Sequence, residues 1–523
     1  MLDKSYAIRK MLNPTSIAVI GASEKAGKQG NSVIKYLKRY GFEGNVYPVN
    51  PKAAEIEGFT CYKSVTDIPG EVDLAIISLP NRLVPQAARE CIAKGIKSAV
   101  VWSAGFGELK SEEGKRLDAE LRAVCSEGGL CICGPNSLGV IDAHRAAVAS
   151  FTTALSNVKQ LRKGNVAFIS QSGGTVAAIL DEIERGGIGF SKFISTGNEL
   201  NLTFSDYALE LLQDDTVDII VGYVEGIRDG KGFLKAGRLA RKLGKHIILV
   251  KGGRSGAAAD AVCSHTGAIA GSDGIYTAAF REVGIIQAQS TEEMMDMVFA
   301  LSGQNLSPDQ FGRRALVLCT GGGSGIQALD AIERSSLKPA NLSPESIEKI
   351  KAVVPEFAGV TSHMIDVTPQ MLMDPNYLRH FGEVLQIIEE DPGVDVTMFV
   401  QASSAPSAPA VCESIVNHRK TAKKPIVLTW WALPDVAREL LDAANIYVFP
   451  SQARAINFMS ALAEYCDIKE GIRERKVPEH EILGIAWPMP DVSAGPVVLT
   501  EDKVSPWLAD YNIGNASAMI AKD

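Results

Sequence analysis

The chain has 523 residues, with 53 Lys and Arg against 61 Asp and Glu, for a formal net charge of −8. At 46% hydrophobic and 22% charged it has apolar material for several cores, which excludes a disordered chain and a small disulfide-stapled scaffold. The acidic balance excludes nucleic acid as a default partner, because phosphate binding leaves a basic footprint.

SIAVI (16–20), NVYPVN (45–50), VDLAIISLP (72–80), KSAVVWSAG (97–105) and LCICGPNS (130–137) read as strands. Helical patterns begin at Asn31–Arg39, Val84–Lys94 and Ser111–Ser126. Strands that are apolar throughout and alternate with helices predict a parallel sheet covered on both faces, a Rossmann-like domain over 1–145. A second α/β unit, 146–303, repeats strand, turn and helix in GNVAFISQSGG (164–174), GFSKFISTGNE (189–199), VDIIVGYVEGI (217–227) and HIILVKGG (246–253). The polar stretch SGQNLSPDQFG (302–312) reads as a linker. A third unit, 312–467, opens with RRALVLCTGGGSGIQALDAIERSS (313–336) and continues through VDVTMFVQASS and KPIVLTWWA. Residues 468–523 form a tail. No apolar run approaches the roughly 20 residues that span a bilayer, and MLDKSYAIRKMLNPTS has no apolar signal core. Most of the nine cysteines, such as Cys61, Cys91 and Cys319, sit in apolar runs and read as reduced thiols of a cytoplasmic protein. Cys131-x-Cys133 has no partner pair for zinc, and no metal site is expected.

Three strand–glycine–helix starts, GASEKAGKQGN, SQSGGTV and TGGGSGIQ, each set free N–H groups at a helix N-terminus, where anions bind. The first comprises Gly21, Ala22, Ser23, Gly27, Lys28, Gly30 and Asn31. It follows a strand as a nucleotide-phosphate loop does, but Ser23 breaks the GxGxxG fingerprint of a dinucleotide site. The second strand ends Asn50-Pro51-Lys52, where an NAD site would carry an acid. A cation there suits a phosphorylated ribose, so NADP and coenzyme A both fit; otherwise Lys52 is a solvated surface lysine. In the second start, Ser172, Gly173 and Gly174 either hold a phosphoryl group or form a simple cap. His265 lies in GRSGAAADAVCSHTGAIAGSDG, a run of small residues that can form a loop but little core. Its neutral imidazole is a competent nucleophile toward an activated phosphoryl group, given a carboxylate on the other ring nitrogen. Glu225, at the end of an apolar strand, is the candidate carboxylate.

SHTGAIAGSD, SQSGG, GPNSLGV, STGNE and YVEGI, in this chain's arrangement, resemble the NDP-forming acyl-CoA synthetase family, relatives of succinyl-CoA synthetase, from about residue 8 to residue 467. The resemblance is to the α-subunit type of the ADP-forming acetate–CoA ligases. It implies a Rossmann-like CoA-binding domain followed by two flavodoxin-like ligase domains. It also implies a reversible reaction: phosphate attacks an acyl-CoA, His265 takes the phosphoryl group from the acyl phosphate, and the phosphohistidine passes it to ADP. Glu225 would partner His265, and the helix start at Ser172, Gly173 and Gly174 would stabilise the phosphohistidine. Asn136, Ser137, Gly197 and Asn198 would line the phosphate and acyl site; relatives often carry Cys in place of Ser137. Gly21–Asn31, Asn50–Lys52, Ser78, Pro80, Ser103 and Gly105 would cradle CoA.

Transfer to ADP needs an ATP-grasp fold. The residues after 467 fall far short of the roughly 200 of a large further domain, so the expected partner is a separate ATP-grasp subunit holding ATP or ADP and Mg2+, in a hetero-oligomer. The other expected ligands are a small carboxylic acid, CoA and phosphate. In the third unit, Ser362-His363-Met364-Ile365-Asp366 replaces the family's Asn-Pro-Val-Asp turn, and His363 reads as a departure rather than a second phosphorylation site. Trp430-Trp431 would either line an acyl pocket or pack against another subunit. A CoA sensor without turnover is the alternative reading, opposed by His265 and Glu225. An NADP oxidoreductase is opposed by the missing fingerprint.

Overall fold

SIAVI forms β1 (Ser16–Ile20), buried along its length. With β2 (Asn45–Val49), β3 (Leu74–Ile77), β4 (Ser98–Val101) and β5 (Cys131–Cys133) it makes a sheet in the order β2-β1-β3-β4-β5, every pairing parallel. Period-2 alternation sends Ile17, Val19, Leu74 and Ile76 to one core and Ala18, Ile20, Ala75 and Ile77 to another. Two covered faces explain why these strands read as unbroken apolar runs. The computed structural model describes residues 3–474 apart from 110, 157, 259–272, 303–305 and 402–405.

The second sheet begins with an antiparallel hairpin, β6 (Gly139–Asp142) and β7 (Ala147–Ser150). It continues with β8 (Lys163–Ser170), β9 (Phe190–Ser195), β10 (Ile219–Val224), β11 (His246–Lys251) and β12 (Ile286–Ala288). The order is β12-β11-β10-β8-β9-β6-β7. The hairpin crosses the boundary expected at 145/146; the chain changes sheets between Cys133 and Gly139, within GPNSLG. All eight hairpin residues are buried, so no polar face marks the change in the sequence.

The third sheet comprises β13 (Arg314–Cys319), β14 (Lys338–Pro339), β15 (Gly359–Val360), β16 (Met364–Asp366), β17 (Val396–Gln401), β18 (Ile426–Trp430) and β19 (Val448–Phe449). Its order is β15-β16-β13-β17-β18-β19, with β14 beside β13.

Helices join the sheets. Helix Lys4–Leu12, capped by Asp3, buries Ala7, Ile8, Met11 and Leu12 in a core shared by the first two sheets. Helix Gln452–Glu474 contributes Phe458, Met459 and Leu462 to a core shared by the second and third. There Arg454 donates twice to buried Asp296, both bonds 2.6 Å, and the Tyr447 hydroxyl donates a third at 2.8 Å. The stretch expected as a linker is packed in its described part. Ser307 and Gln310 form a capping box, and buried Phe311 meets Phe458 edge-on at 5.3 Å. Buried Leu306 and Pro308 hold it beside Phe311, and Lys469 reaches Asp309 from the long helix at 2.5 Å. Among the described residues no helix is long and apolar enough to cross a membrane.

Candidate active site

The C-terminal ends of β1–β4 open onto a cleft of about 950 Å³. A doubly wound sheet binds ligands at this edge, where the strand order reverses between β1 and β3. Gly21, Ala22, Ser23, Gly27, Lys28, Gly30, Asn50, Pro51, Ser78, Pro80 and Ser103 line it. Gly21 has φ +89, and a β-carbon there would stand 2.3 Å from the Ser78 carbonyl oxygen, so only glycine lets the two loops meet. Helix Gln29–Tyr40 starts at Lys28 with no side-chain cap, and Lys28, Gln29 and Gly30 all line the cleft.

Three expected contacts sit elsewhere. Asn31 is fully buried and donates to the Ser23 carbonyl at 3.0 Å and to Glu57 at 2.9 Å, tying the loop from below. Gly105 accepts from Asn81 at 3.2 Å and donates its N–H to Glu108, outside the cleft lining. Lys52 is exposed and absent from the lining; its N–H closes an Asx turn on Asn50 at 2.9 Å. Lys63, not Lys52, lines the cleft. The chain returns beside β2, with reciprocal bonds Asn50 N–H to Tyr62 O and Tyr62 N–H to Pro48 O, both 2.9 Å, and this carries Lys63 to the cleft. Trp102 also lines the cleft, and its Nε1–H has no acceptor among the described residues. Neither residue stands in a glycine motif, the only local signal available.

The GPNSLG loop locks onto the STGNE turn. The Asn198 N–H donates to Pro135 O at 2.9 Å and the Leu200 N–H to Gly134 O at 3.0 Å. Ser137, expected to face phosphate, is 2% exposed. Its hydroxyl donates to Ser195 O at 2.5 Å and accepts from the Gly139 N–H at 2.8 Å, so it pins the sheet junction. Asn136 alone of that pair is exposed; its amide donates to Asn198 at 3.3 Å, and Asn198 donates to Glu108. Gly197 has φ +57, and a β-carbon would lie 2.3 Å from Pro135 O. Gly197→Ala should therefore cost more than the roughly 1–2 kcal/mol of a left-handed alanine, because a backbone oxygen must also yield. A urea unfolding curve reads this loss; unchanged stability would refute the interlock.

At the C-terminal edge of the second sheet, Gln171 ties three loops together. Its Nε2 donates to Glu199 at 2.9 Å and to Gly226 O at 2.7 Å; its Oε1 accepts from the N–H groups of Glu225 at 2.6 Å and Gly226 at 3.2 Å. Glu225 is 6% exposed at the end of β10, and buried Lys251 ends β11 alongside, in register with Val224. Burial pushes the Lys251 ammonium down, and the charges of Asp273 and Glu225 oppose that. Ser172 caps helix Gly173–Gly186, accepting from the Thr175 N–H at 3.4 Å, while Gly174 has open space at its α-carbon. The capping role is realised, and the small residues keep the helix start accessible.

His265 lies outside the described residues, within 259–272. The segments flanking that stretch are described: Arg254 pairs bidentately with Asp273, at 2.7 and 3.1 Å. In the third unit, His363, exposed just before β16, bonds the Ala340 carbonyl through Nδ1 at 2.6 Å. The tryptophan pair is split by the end of β18: Trp430, its last residue, is 5% exposed, and Trp431, in the turn beyond it, 88%.

The matched domains mirror this layout: a CoA binding domain over residues 15–143 and a succinyl-CoA ligase like flavodoxin domain over 163–301. ADP-forming acetate–CoA ligase II subunit alpha of Pyrococcus furiosus is 38% identical over 83% of this chain and 92% of its own. The chain belongs to the ADP-forming acetate–CoA ligase family. ADP-forming acetate–CoA ligase I of Archaeoglobus fulgidus is 37% identical over 89% of this chain, which spans 65% of that longer ligase. Among solved structures, the dinucleotide forming acetyl-coenzyme A synthetase 1 of Ca. Korarchaeum cryptofilum, in complex with phosphate and ADP, superposes with a TM-score of 0.79. It is 34% identical over 89% of this chain and 98% of its own.

Proposed function

We propose that this chain is the CoA-binding, phosphohistidine-bearing part of an ADP-forming acid–CoA ligase. The observation that carries the reading is the single hydrogen-bonded edge uniting Gln171, Glu199 and Glu225 beside an accessible helix start, one loop away from the CoA-type cleft. In the direction of acid release, phosphate attacks the thioester carbonyl, the C–S bond breaks, and CoA leaves as the thiol. The imidazole of His265 then attacks the acyl phosphate at phosphorus, and the carboxylate departs. Glu225 holds the ring and balances the cation that forms; the N–H groups at Gly173 and Gly174 take the phosphoryl charge. Lys28 and Lys63 meet the phosphates of CoA.

ADP, ATP and Mg2+ belong to an ATP-grasp partner, in a hetero-oligomer, and the acid is a small carboxylate. The eight free thiols among the described residues support a reducing, cytoplasmic setting. The test is labelling by acetyl [32P]phosphate, which needs no partner. Acid-labile, base-stable label on the chain is expected, and an unlabelled chain overturns the reading. CoA should raise the melting temperature and NADP should not, with about 2.7 kcal/mol gained at a hundredfold excess over Kd.

A further inference from the structure

The STGNE turn drew attention to Gly197 and Asn198, but its chemistry lies in Glu199. This carboxylate is 1% exposed, on a residue with φ +52. Oε1 accepts three hydrogen bonds, from Gln171 Nε2 at 2.9 Å, Thr196 Oγ1 at 3.2 Å and the Phe204 N–H at 3.1 Å. Oε2 has no donor among the described residues; Arg228 Nε stands 4.0 Å away on a guanidinium that is 45% exposed. Burying a carboxylate with one oxygen unserved is costly and contributes little to stability.

Its consequence falls on Gln171. A carboxylate only accepts, as does the Gly226 carbonyl, so the two together hold the Gln171 NH2 while its oxygen takes the N–H groups of Glu225 and Gly226. The opposite amide orientation would set oxygen against carboxylate and NH2 against N–H. We infer that Glu199 is a positioning residue for phosphoryl transfer: its ionised carboxylate anchors the Gln171 amide through a charge-assisted bond, and that amide holds the main chain of Glu225. The inference rests on the function proposed above.

A neutral Glu199 acid, protonated at the unserved Oε2, still accepts from Gln171 at Oε1, but the bond is no longer charge-assisted and holds the amide less firmly. Burial pushes its carboxyl up to about 7, against the hydrogen bond from Gln171, the charge of Arg228 and the bonds from Phe204 and Thr196. Of the other groups that feel Glu199, burial pushes Cys133 up to about 11 and Tyr207 well above its ordinary value, so both stay neutral near pH 7. Glu225 lies on the far side of Gln171.

The test follows the labelling rate with acetyl [32P]phosphate from about pH 5.5 to about 8.5. The wild-type rate should fall on the acid side, through Glu199 together with the His265 imidazole. Glu199→Gln should lower the rate about tenfold at the alkaline end and shift the remaining acid limb to lower pH, since only the imidazole is left. Arg228→Gln should move the wild-type limb to higher pH, because the carboxylate loses the cation that favours its charge; this variant keeps the test open if Glu199→Gln folds poorly. Equal rates and profiles in all three proteins overturn the inference. So does a rate in Glu199→Gln lowered equally at every pH, which marks a merely structural residue. An unlabelled wild type overturns the functional reading instead, and so separates the two failures.

Discussion

Glu225→Gln should reduce labelling of the chain by acyl phosphate on the order of 10²–10⁴-fold, and His265→Ala should abolish it. Taking up a phosphoryl group makes the imidazole cationic, and an amide of the same shape cannot balance that charge. Glu225 is 6% exposed, so little water intervenes to screen the interaction. Gln171 holds the main chain at this residue through the 2.6 Å bond to its N–H, a contact the substitution leaves in place. The loss should therefore appear in the rate and not in folding. CoA should stabilise the variant as it does the wild type, because its cleft belongs to the first sheet. Labelling within twofold of wild type in Glu225→Gln would remove Glu225 from the mechanism.

The second large effect is on stability. Lys192, in the middle of β9, is fully buried. Its ammonium stands 3.4 Å from Asp142 and 3.2 Å from Asp214, with Ser191 and Thr216 hydroxyls at 3.2 and 3.3 Å. Asp142 lies directly opposite on antiparallel β6, so the cluster stitches the 139–150 hairpin to the sheet. Lys192→Met keeps the volume and removes the buried cation from both carboxylates; Asp142, 1% exposed, keeps only the exposed Arg145 at 3.4 Å. Breaking one side of a buried pair costs about 3–5 kcal/mol, far above the worth of a surface pair. Urea denaturation at neutral pH measures it, and a loss below about 1 kcal/mol would contradict the argument. Burial opposes the charge on Asp214, but hydrogen bonds from Thr216 and the Lys192 ammonium outweigh it and hold the carboxyl below its usual range. Its contribution is present above the unfolded value of about 3.9 and is lost as pH falls through the lower folded value, so the gap between wild type and variant should narrow there.

Much of this architecture was legible locally. Apolar runs of β-branched residues located the strands, and glycines marked the turns, because those signals act over a few residues. The ordered motifs pointed to the family, and most of the glycine-loop contacts line the cleft. Other side chains were placed by contacts distant in sequence. Ser137 and Asn136 are adjacent in sequence, yet Ser137 is taken up by Ser195 while Asn136 stays exposed. Lys52 stands at the expected strand end, but Lys63 reaches the cleft because the chain folds back along β2. Glu199 stands beside Gly197 and Asn198, and only its contacts with Gln171, just past a strand end 28 positions earlier, and with Arg228, 29 positions later, reveal a role.

The sequence by itself determined the α/β alternation, the glycine turns at the strand ends and the presence of a histidine in a small-residue run. The tertiary structure alone decided which side chains those turns expose, which they bury, and where one sheet gives way to the next. Periodicity and turn chemistry are set by neighbours along the chain, whereas burial and hydrogen-bond partners are set by which strand ends lie side by side.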